Sequence, residues 1–146
     1  MNLGECFLEL AKNEEDSGNL YKEFATTCSG KLKSICIKFS KEEHNAGILK
    51  LSKNIKSKDK QLNEDLNDFF KEQTNYIKIK HQNINFVTEK DFFIFVLQME
   101  KNSIKIYTKL LSMFKIDSDE FKIFEKLLNE EKRHMIYILS QIHKLN

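Results

Sequence analysis

The sequence contains no proline and no tryptophan, and it has only four glycines in 146 residues. Proline and glycine interrupt helices more than other residues do, so their scarcity permits long continuous helices. Twelve phenylalanines and a hydrophobic fraction of 40% still supply enough apolar surface for one core. The composition therefore predicts one helical domain that covers residues 1–146.

An excess of charge of either sign is also missing. Lysine and arginine total 24 against 22 acidic residues, and the net charge of +2 is spread along the chain rather than massed. This balance gives no electrostatic reason to expect nucleic acid as a partner. The N-terminus carries neither a basic flank nor an apolar run, so we expect no signal peptide, no membrane-spanning helix and no membrane partner.

Cysteine is scarce as well. Cys6, Cys28 and Cys36 are the three cysteines, and they form no C-x-x-C pair. This spacing excludes a rubredoxin-type or zinc-ribbon module and fits a reducing, cytoplasmic environment. We expect all three to be small buried thiols.

Apolar residues recur at helical spacing in four long segments, which are residues 2–28, 31–56, 88–114 and 117–145. Ser29-Gly30 predicts a turn that contains a left-handed residue. Thr88-x-x-Asp91 predicts a capping box, and Asp117 with Glu120 predicts the start of the last helix. The pattern of residues 57–87 indicates a long crossover with a short helix between Gln61 and Lys78. The pattern predicts an all-α four-helix bundle of two antiparallel hairpins, with the crossover between helices 2 and 3.

Several side chains that can bind metals fall on the apolar stripes of these helices. They are Glu14, Glu43, Glu100, Glu131 and His134. Carboxylates and an imidazole aimed into a hydrophobic interior are costly unless something there pairs with them. A divalent metal is the usual partner when several helices of a bundle supply carboxylates to one point.

The two hairpins also form a repeat. The pattern Glu-x-x-Ser-x-x-x-Tyr occurs from Glu14 to Tyr21 and again from Glu100 to Tyr107. The spacing to the next inward glutamate agrees too, with 29 residues from Glu14 to Glu43 and 31 from Glu100 to Glu131. Four inward glutamates at corresponding points of a duplicated unit indicate one shared site.

On these residues the chain resembles the ferritin-like superfamily, and the Glu-x6-Tyr and Glu-x-x-His motifs are most similar to its rubrerythrin-like branch. The resemblance implies two iron ions, held by one Glu from the first helix of each hairpin and a Glu-x-x-His from the second. The implied metal ligands are Glu14, Glu43, Glu100, Glu131 and His134. The chain departs from the family at Ala46, where the second histidine is expected, at Ser103, where rubrerythrins add a glutamate, and in lacking the four-cysteine domain.

A second helical register stays open for helix 2. It aligns His44 with His134 and so keeps a second histidine, but it places Lys41 at the glutamate position. A lysine there would oppose metal binding, and Phe39 would turn away from the core. His44 is therefore the alternative ligand and Glu43 the preferred one.

The resemblance implies an iron-dependent oxidoreductase that reduces peroxide or oxygen, with electrons from an external donor. Iron is the expected cofactor, as one ion or two, and manganese is the other option. The missing histidine makes the predicted metal site partly degenerate. The sequence identifies no catalytic residue. Tyr21 and Tyr107 are either core residues or hydrogen-bonding neighbours of the ligands. A metal-poor scaffold or interaction protein is the alternative, iron storage a weaker one, and a homodimer one possible assembly.

Overall fold

The computed structural model describes residues 1–44, 48, 59–82 and 88–145, and within these ranges the chain is all-helical. The helices are α1 (Leu3–Ala25), α2 (Gly30–His44), α3 (Glu64–Gln82), α4 (Glu89–Leu111) and α5 (Asp119–Leu145). The all-α prediction is confirmed, and the helices are compatible with a bundle. The chain divides into two compact units, Met1–Thr74 and Asn75–Asn146.

In the first unit, α1 begins with a reciprocal cap. The Asn2 side chain accepts a hydrogen bond from the Glu5 N–H at 2.8 Å, and the Glu5 carboxylate accepts one from the Asn2 N–H at 3.2 Å. A wide face of α1 is buried, and α1 packs on α2. The two helices come close at Gly18, whose carbonyl accepts a hydrogen bond of 2.7 Å from the Ser40 hydroxyl.

The turn between α1 and α2 begins earlier than the sequence indicates. Helix α1 ends at Ala25 rather than near Cys28, because the Thr26 and Thr27 hydroxyls donate to the carbonyls of the preceding helical turn. Gly30 has a φ of +63°, which confirms the left-handed residue expected at this turn. It stands at the start of α2, not directly after α1.

The crossover region holds a longer helix than expected. The Asn63 side chain accepts a hydrogen bond from the Leu66 N–H at 2.9 Å and caps α3, which then runs for 19 residues. Just before it, the chain pairs with the N-terminus, since the Leu3 N–H donates to the Lys60 carbonyl and the Leu62 N–H to the Met1 carbonyl. The parts of the predicted crossover at residues 57, 58 and 83–87 lie outside the described residues.

In the second unit, α4 begins with the predicted capping box. The Thr88 hydroxyl accepts from the Asp91 N–H at 3.1 Å, and the Asp91 carboxylate accepts from the Thr88 N–H at 3.2 Å. Helix α4 ends at Leu111, three residues before the predicted end, and Phe114 in the following turn stacks on Phe124. Helices α4 and α5 pack against each other.

Helix α5 begins two residues after the predicted start, and its capping residue differs from the predicted one by one position. Ser118, not Asp117, caps the helix, with its hydroxyl accepting from the Phe121 N–H at 3.1 Å. Asp117 has a φ of +69° and occupies the left-handed position of the turn instead. Asp tolerates this conformation better than most residues with a Cβ atom, which explains why it stands there.

Among the described helices, none combines the length and the apolar character needed to cross a membrane.

Candidate metal centre

Helix α4 places Glu100 in the interior of the second unit. Its carboxylate shares a face with the buried residues Phe93, Val96 and Tyr107, and only 1% of Glu100 is exposed. The face follows from the helical spacing of these residues, since positions three, four and seven apart lie on one side. A carboxylate is thus held at the centre of an apolar stripe, as the sequence predicted.

Helix α5 supplies two further polar side chains to the interior. Glu131 is 2% and His134 0% exposed, and they lie one turn apart on the stripe. The remaining buried residues of this stripe are apolar and comprise Phe124, Leu127, Leu128 and Ile138. The packing of these residues fixes the direction in which both polar side chains project.

The three side chains of the second unit meet at one point. Nδ1 of His134 lies 3.5 Å from Oε1 of Glu100 and 4.0 Å from Oε2 of Glu131. Each residue offers one such atom, and the three atoms lie within 4.8 Å of one another. Two ligands of one ion, each bonded at about 2.1 Å, are separated by roughly 3 to 4 Å. The arrangement therefore fits a single divalent ion between the two carboxylates and the imidazole.

The first unit buries the two glutamates that the sequence singled out there. Glu14 on α1 is 4% and Glu43 on α2 is 3% exposed. Lys41 is exposed, and so is His44. The burial pattern matches the preferred register of helix 2, in which Glu43 points inward. That Glu14 and Glu43 bind metal stays a prediction.

His44 lies against α1 at the point where that helix has no side chain. A Cβ atom built on Gly18 would lie 2.8 Å from both Cδ2 and Nε2 of the His44 ring. Real Cβ atoms do not approach other groups so closely, so Gly18 is what lets the ring occupy this place. Ala46, the position of the missing histidine, and its neighbour Gly47 lie outside the described residues.

In the part of the chain whose burial the structure describes, glutamates are buried but lysines and arginines are not. Every lysine and arginine whose burial the structure describes is exposed. Each unit nevertheless buries two glutamates, Glu14 and Glu43 in the first and Glu100 and Glu131 in the second. Burying a carboxylate is costly unless a counter-charge or a proton accompanies it. A divalent cation held by Glu100 and Glu131 would supply a matching charge.

Tyr21 and Tyr107 are both almost completely buried. The Tyr21 ring makes an edge contact with Phe39, with ring centroids 5.6 Å apart, and the Tyr107 ring lies against Phe124 at 5.8 Å. Both tyrosines therefore contribute to the packing between the helices of their own unit. A role of either hydroxyl beside the ligands stays a prediction.

Sequence reasoning missed two buried asparagines. Asn13 on α1 is buried, and neither atom of its amide group has a hydrogen-bond partner within the part of the chain that the structure describes. Asn102 on α4 is buried too, with its Oδ1 accepting from Gln98 Nε2 at 3.2 Å. The available signal was the seven-residue spacing that places Asn13 in line with the buried residues Cys6 and Leu20.

Comparison with known proteins adds no relative, since no family model, no curated protein and no solved structure matches the chain. The resemblance to ferritin-like proteins therefore depends on the residues themselves.

Proposed function

We propose that the chain is a ferritin-like, rubrerythrin-like protein whose two helix pairs are antiparallel hairpins that together hold a carboxylate-bridged metal centre. Glu100, Glu131 and His134 supply the ligands of the second unit, and Glu14 and Glu43 those of the first. The observation that carries the proposal is the meeting of two carboxylates and an imidazole inside the second unit, with their ligand atoms within 4.8 Å. Side chains of this kind are rarely buried together without an ion.

The internal repeat supports the participation of the first unit. Glu14 and Glu100 are 86 positions apart, and the same offset relates Tyr21 to Tyr107. It also relates Asn2 to Thr88, the two residues that begin capping boxes. A shared offset for cap, glutamate and tyrosine indicates that the first helices of both pairs are equivalent, so Glu14 has the place in its unit that Glu100 has in the other.

The donor set favours iron or manganese. Four carboxylates and one imidazole are hard oxygen and borderline nitrogen ligands, whereas copper(I) and structural zinc sites prefer thiolates. When bound, iron would supply the redox chemistry of the site. The residues of this chain would hold the ions, neutralise their charge and exclude bulk water, because the ligands of the second unit are almost fully buried.

We propose the reduction of peroxide or oxygen as the reaction. Peroxide, two protons and two electrons give two waters, and the electrons would come from an external electron-transfer protein of the cytosol. Tyr21 and Tyr107 follow their glutamates by two helical turns in the sequence. From there they would hydrogen-bond to the ligands or carry electrons.

A metal-poor scaffold is the second candidate, and one observation favours it. The first unit, Met1–Thr74, contains a single histidine, His44, and its side chain is exposed. If the centre held no ion usefully, the protein would act through its surface or its assembly.

The metal content of protein purified without chelator tests both candidates. We expect bound iron or manganese, and an absorption change when ferrous iron and then air or peroxide are added. The double variant Glu131→Gln, His134→Ala should lose both. Glu125→Gln, an exposed glutamate of α5, is the matched control and should retain both. Metal-free wild-type protein that takes up no iron would reject the enzyme in favour of the scaffold.

A further inference from the structure

The outer side of α5 exposes two neighbouring apolar side chains. Ile136 is 66% and Leu139 is 44% exposed, and both lie on the side of the helix that faces away from the buried His134. Lys132 stands one turn before this pair and His143 one turn after it, and both are exposed. These four residues follow one another at spacings of four, three and four positions, and we call them the outer stripe of α5.

The charge around the outer stripe has one sign. Charges are interleaved over most of the chain, but residues 132–146 contain Lys132, Arg133 and Lys144 and no acidic residue. Three positive charges in this segment exceed the net charge of +2 of the whole chain. The negative end of the helix dipole accounts for Lys144 in the last turn. It does not account for Lys132, which lies about three turns earlier, because the dipole acts only within the last turn.

The outer stripe fits an acidic protein better than a membrane or a second copy of the chain. A helix that lies in a membrane surface needs a wide apolar face, whereas the outer stripe offers two apolar side chains and the other side of α5 is buried. A second copy of the same face would bring Lys132 and Lys144 against like charges. A protein surface with an apolar centre and carboxylates around it complements both features.

A partner on the outer stripe would lie one helix away from the proposed metal ligands. Glu131 and His134 are buried on the inner side of α5, and a helix with its side chains is about 10 Å across. Resting on the proposed function, we propose that the outer stripe is the docking site of an acidic one-electron carrier protein. Carboxylates of the carrier pair with Lys132 and Lys144, and its apolar surface covers the apolar pair. Two dockings deliver the two electrons that one peroxide needs, together with two protons, to give two waters.

Binding of an acidic two-iron ferredoxin to the full-length chain tests the docking site. In the isotope-labelled chain, we expect the ferredoxin to shift the backbone amide NMR signals of residues 132–144 at low salt. Raising the ionic strength from about 0.01 M to about 0.15 M should weaken binding about tenfold, because the Debye length falls from about 30 Å to about 8 Å. Cytochrome c, a basic electron carrier, is the control of opposite charge and should not bind.

Two variants of exposed residues assign the contact, and circular dichroism confirms that each is folded. Lys132→Glu removes a cation and Ile136→Ser an apolar contact, so each should weaken ferredoxin binding about fivefold or more. Lys122→Glu, at an exposed position nearer the start of α5, is the matched control for charge. Ile94→Ser, at an exposed position of α4, is the matched control for the apolar change. Both controls should bind the ferredoxin as wild-type protein does.

The outcomes separate the docking site from the proposed function, because binding is measured without turnover. A chain that binds the ferredoxin through the outer stripe but takes up no iron would reject the proposed reaction and keep the docking site. No ferredoxin binding at low salt, equal binding of cytochrome c, or equal losses in Lys132→Glu and Lys122→Glu would overturn the docking site. Binding to vesicles of anionic phosphatidylglycerol in place of the ferredoxin would overturn it in favour of a membrane surface.

Discussion

The molecule has two helix pairs, α1 with α2 and α4 with α5. The first helices of the two pairs begin alike, but they contact their second helices differently. In each, the first helix starts with a capping box and buries a glutamate 12 residues after the cap, at Glu14 and at Glu100. The first pair then approaches closely at Gly18, whereas the equivalent position in the second pair carries Ile104. The second pair instead buries His134. Capping boxes and buried carboxylates are thus common to both units, whereas the buried imidazole belongs to the second unit.

Metal removal is the change that should separate the two units most. An ion that binds only the folded state stabilises it by about 3 kcal/mol at a hundredfold excess over its Kd. We expect wild-type protein to gain roughly this free energy of unfolding with manganese(II), measured by urea denaturation with and without the ion. His134→Ala should lose most of the gain, while Glu14→Gln should keep the part that the second unit provides. Equal losses in both variants would contradict the comparison.

The close approach at Gly18 predicts a coupling with His44, whose exposed ring must shift when a methyl group is added. In the wild-type background, Gly18→Ala places a methyl group 2.8 Å from the His44 ring. Overpacking of this kind costs about 1 to 3 kcal/mol, against a helix-propensity gain of about 1 kcal/mol for Ala over Gly.

With His44→Ala the clash disappears, so the same Gly18→Ala change should become stabilising. A double-mutant cycle should therefore give a coupling of about 2 kcal/mol by urea denaturation. The matched change in the second unit, Ile104→Ala, should show no coupling to His44. Independent effects of Gly18→Ala and His44→Ala would mean that the ring moves aside freely.

Ala46→His would make the first unit more like the second. If the missing imidazole weakens the second ion, adding it should tighten that ion about tenfold, or about 1.4 kcal/mol. The expected readout is a second equivalent of manganese or cobalt at concentrations where wild-type protein binds one. Ala46→Gln is the size control, because it adds similar volume without an imidazole and reveals any cost of overpacking. Unchanged stoichiometry would show that the second ion is limited by other residues.

The two capping boxes offer a test of equivalence between the units. Removing a capping side chain costs about 1 kcal/mol. Asn2→Ala and Thr88→Ala should therefore lower the free energy of unfolding by similar amounts, since both side chains accept a hydrogen bond from the N–H three residues ahead. Thr108→Val, at an exposed site within α4, should change it by less than about 0.5 kcal/mol. Unequal cap effects would weaken the equivalence of the two helix starts.

The sequence predicted which glutamates are buried because long amphipathic helices repeat every 3.6 residues over many turns. The burial of Glu14, Glu43, Glu100 and Glu131 follows from that periodicity alone. Helix ends depend on single hydrogen bonds, and these were less predictable. Ser118 caps α5 because Asp117 adopts a left-handed conformation, a choice between neighbouring residues that periodicity does not make.

Contacts between helices could not be predicted from the spacing of apolar residues in the sequence. The place of the His44 ring over Gly18 depends on how far apart α1 and α2 pack, which no periodicity encodes. Asn13 was not singled out from the sequence, although its spacing from Cys6 and Leu20 puts it on a buried face. The distances from His134 to Glu100 and Glu131 likewise required the packing of α4 on α5.

The cysteines supply the smallest predicted effect, and it belongs to the first unit because the second has none. Burial, assisted by the negative charge of Glu9, raises the pKa of the Cys6 thiol from 9.0 to about 12. Above pH 9 the unfolded chain loses a proton that the folded chain retains, so the contribution of Cys6 to stability is complete below pH 9 and falls as the pH rises towards 12. The loss should be about 0.4 kcal/mol at pH 9 and should increase steadily above it. In urea denaturation between pH 7 and 10, the free energy of unfolding of Cys6→Ala should decline less steeply with pH than that of wild-type protein. Identical slopes for wild-type protein and Cys6→Ala would show that the buried thiol of the first unit does not control its alkaline stability.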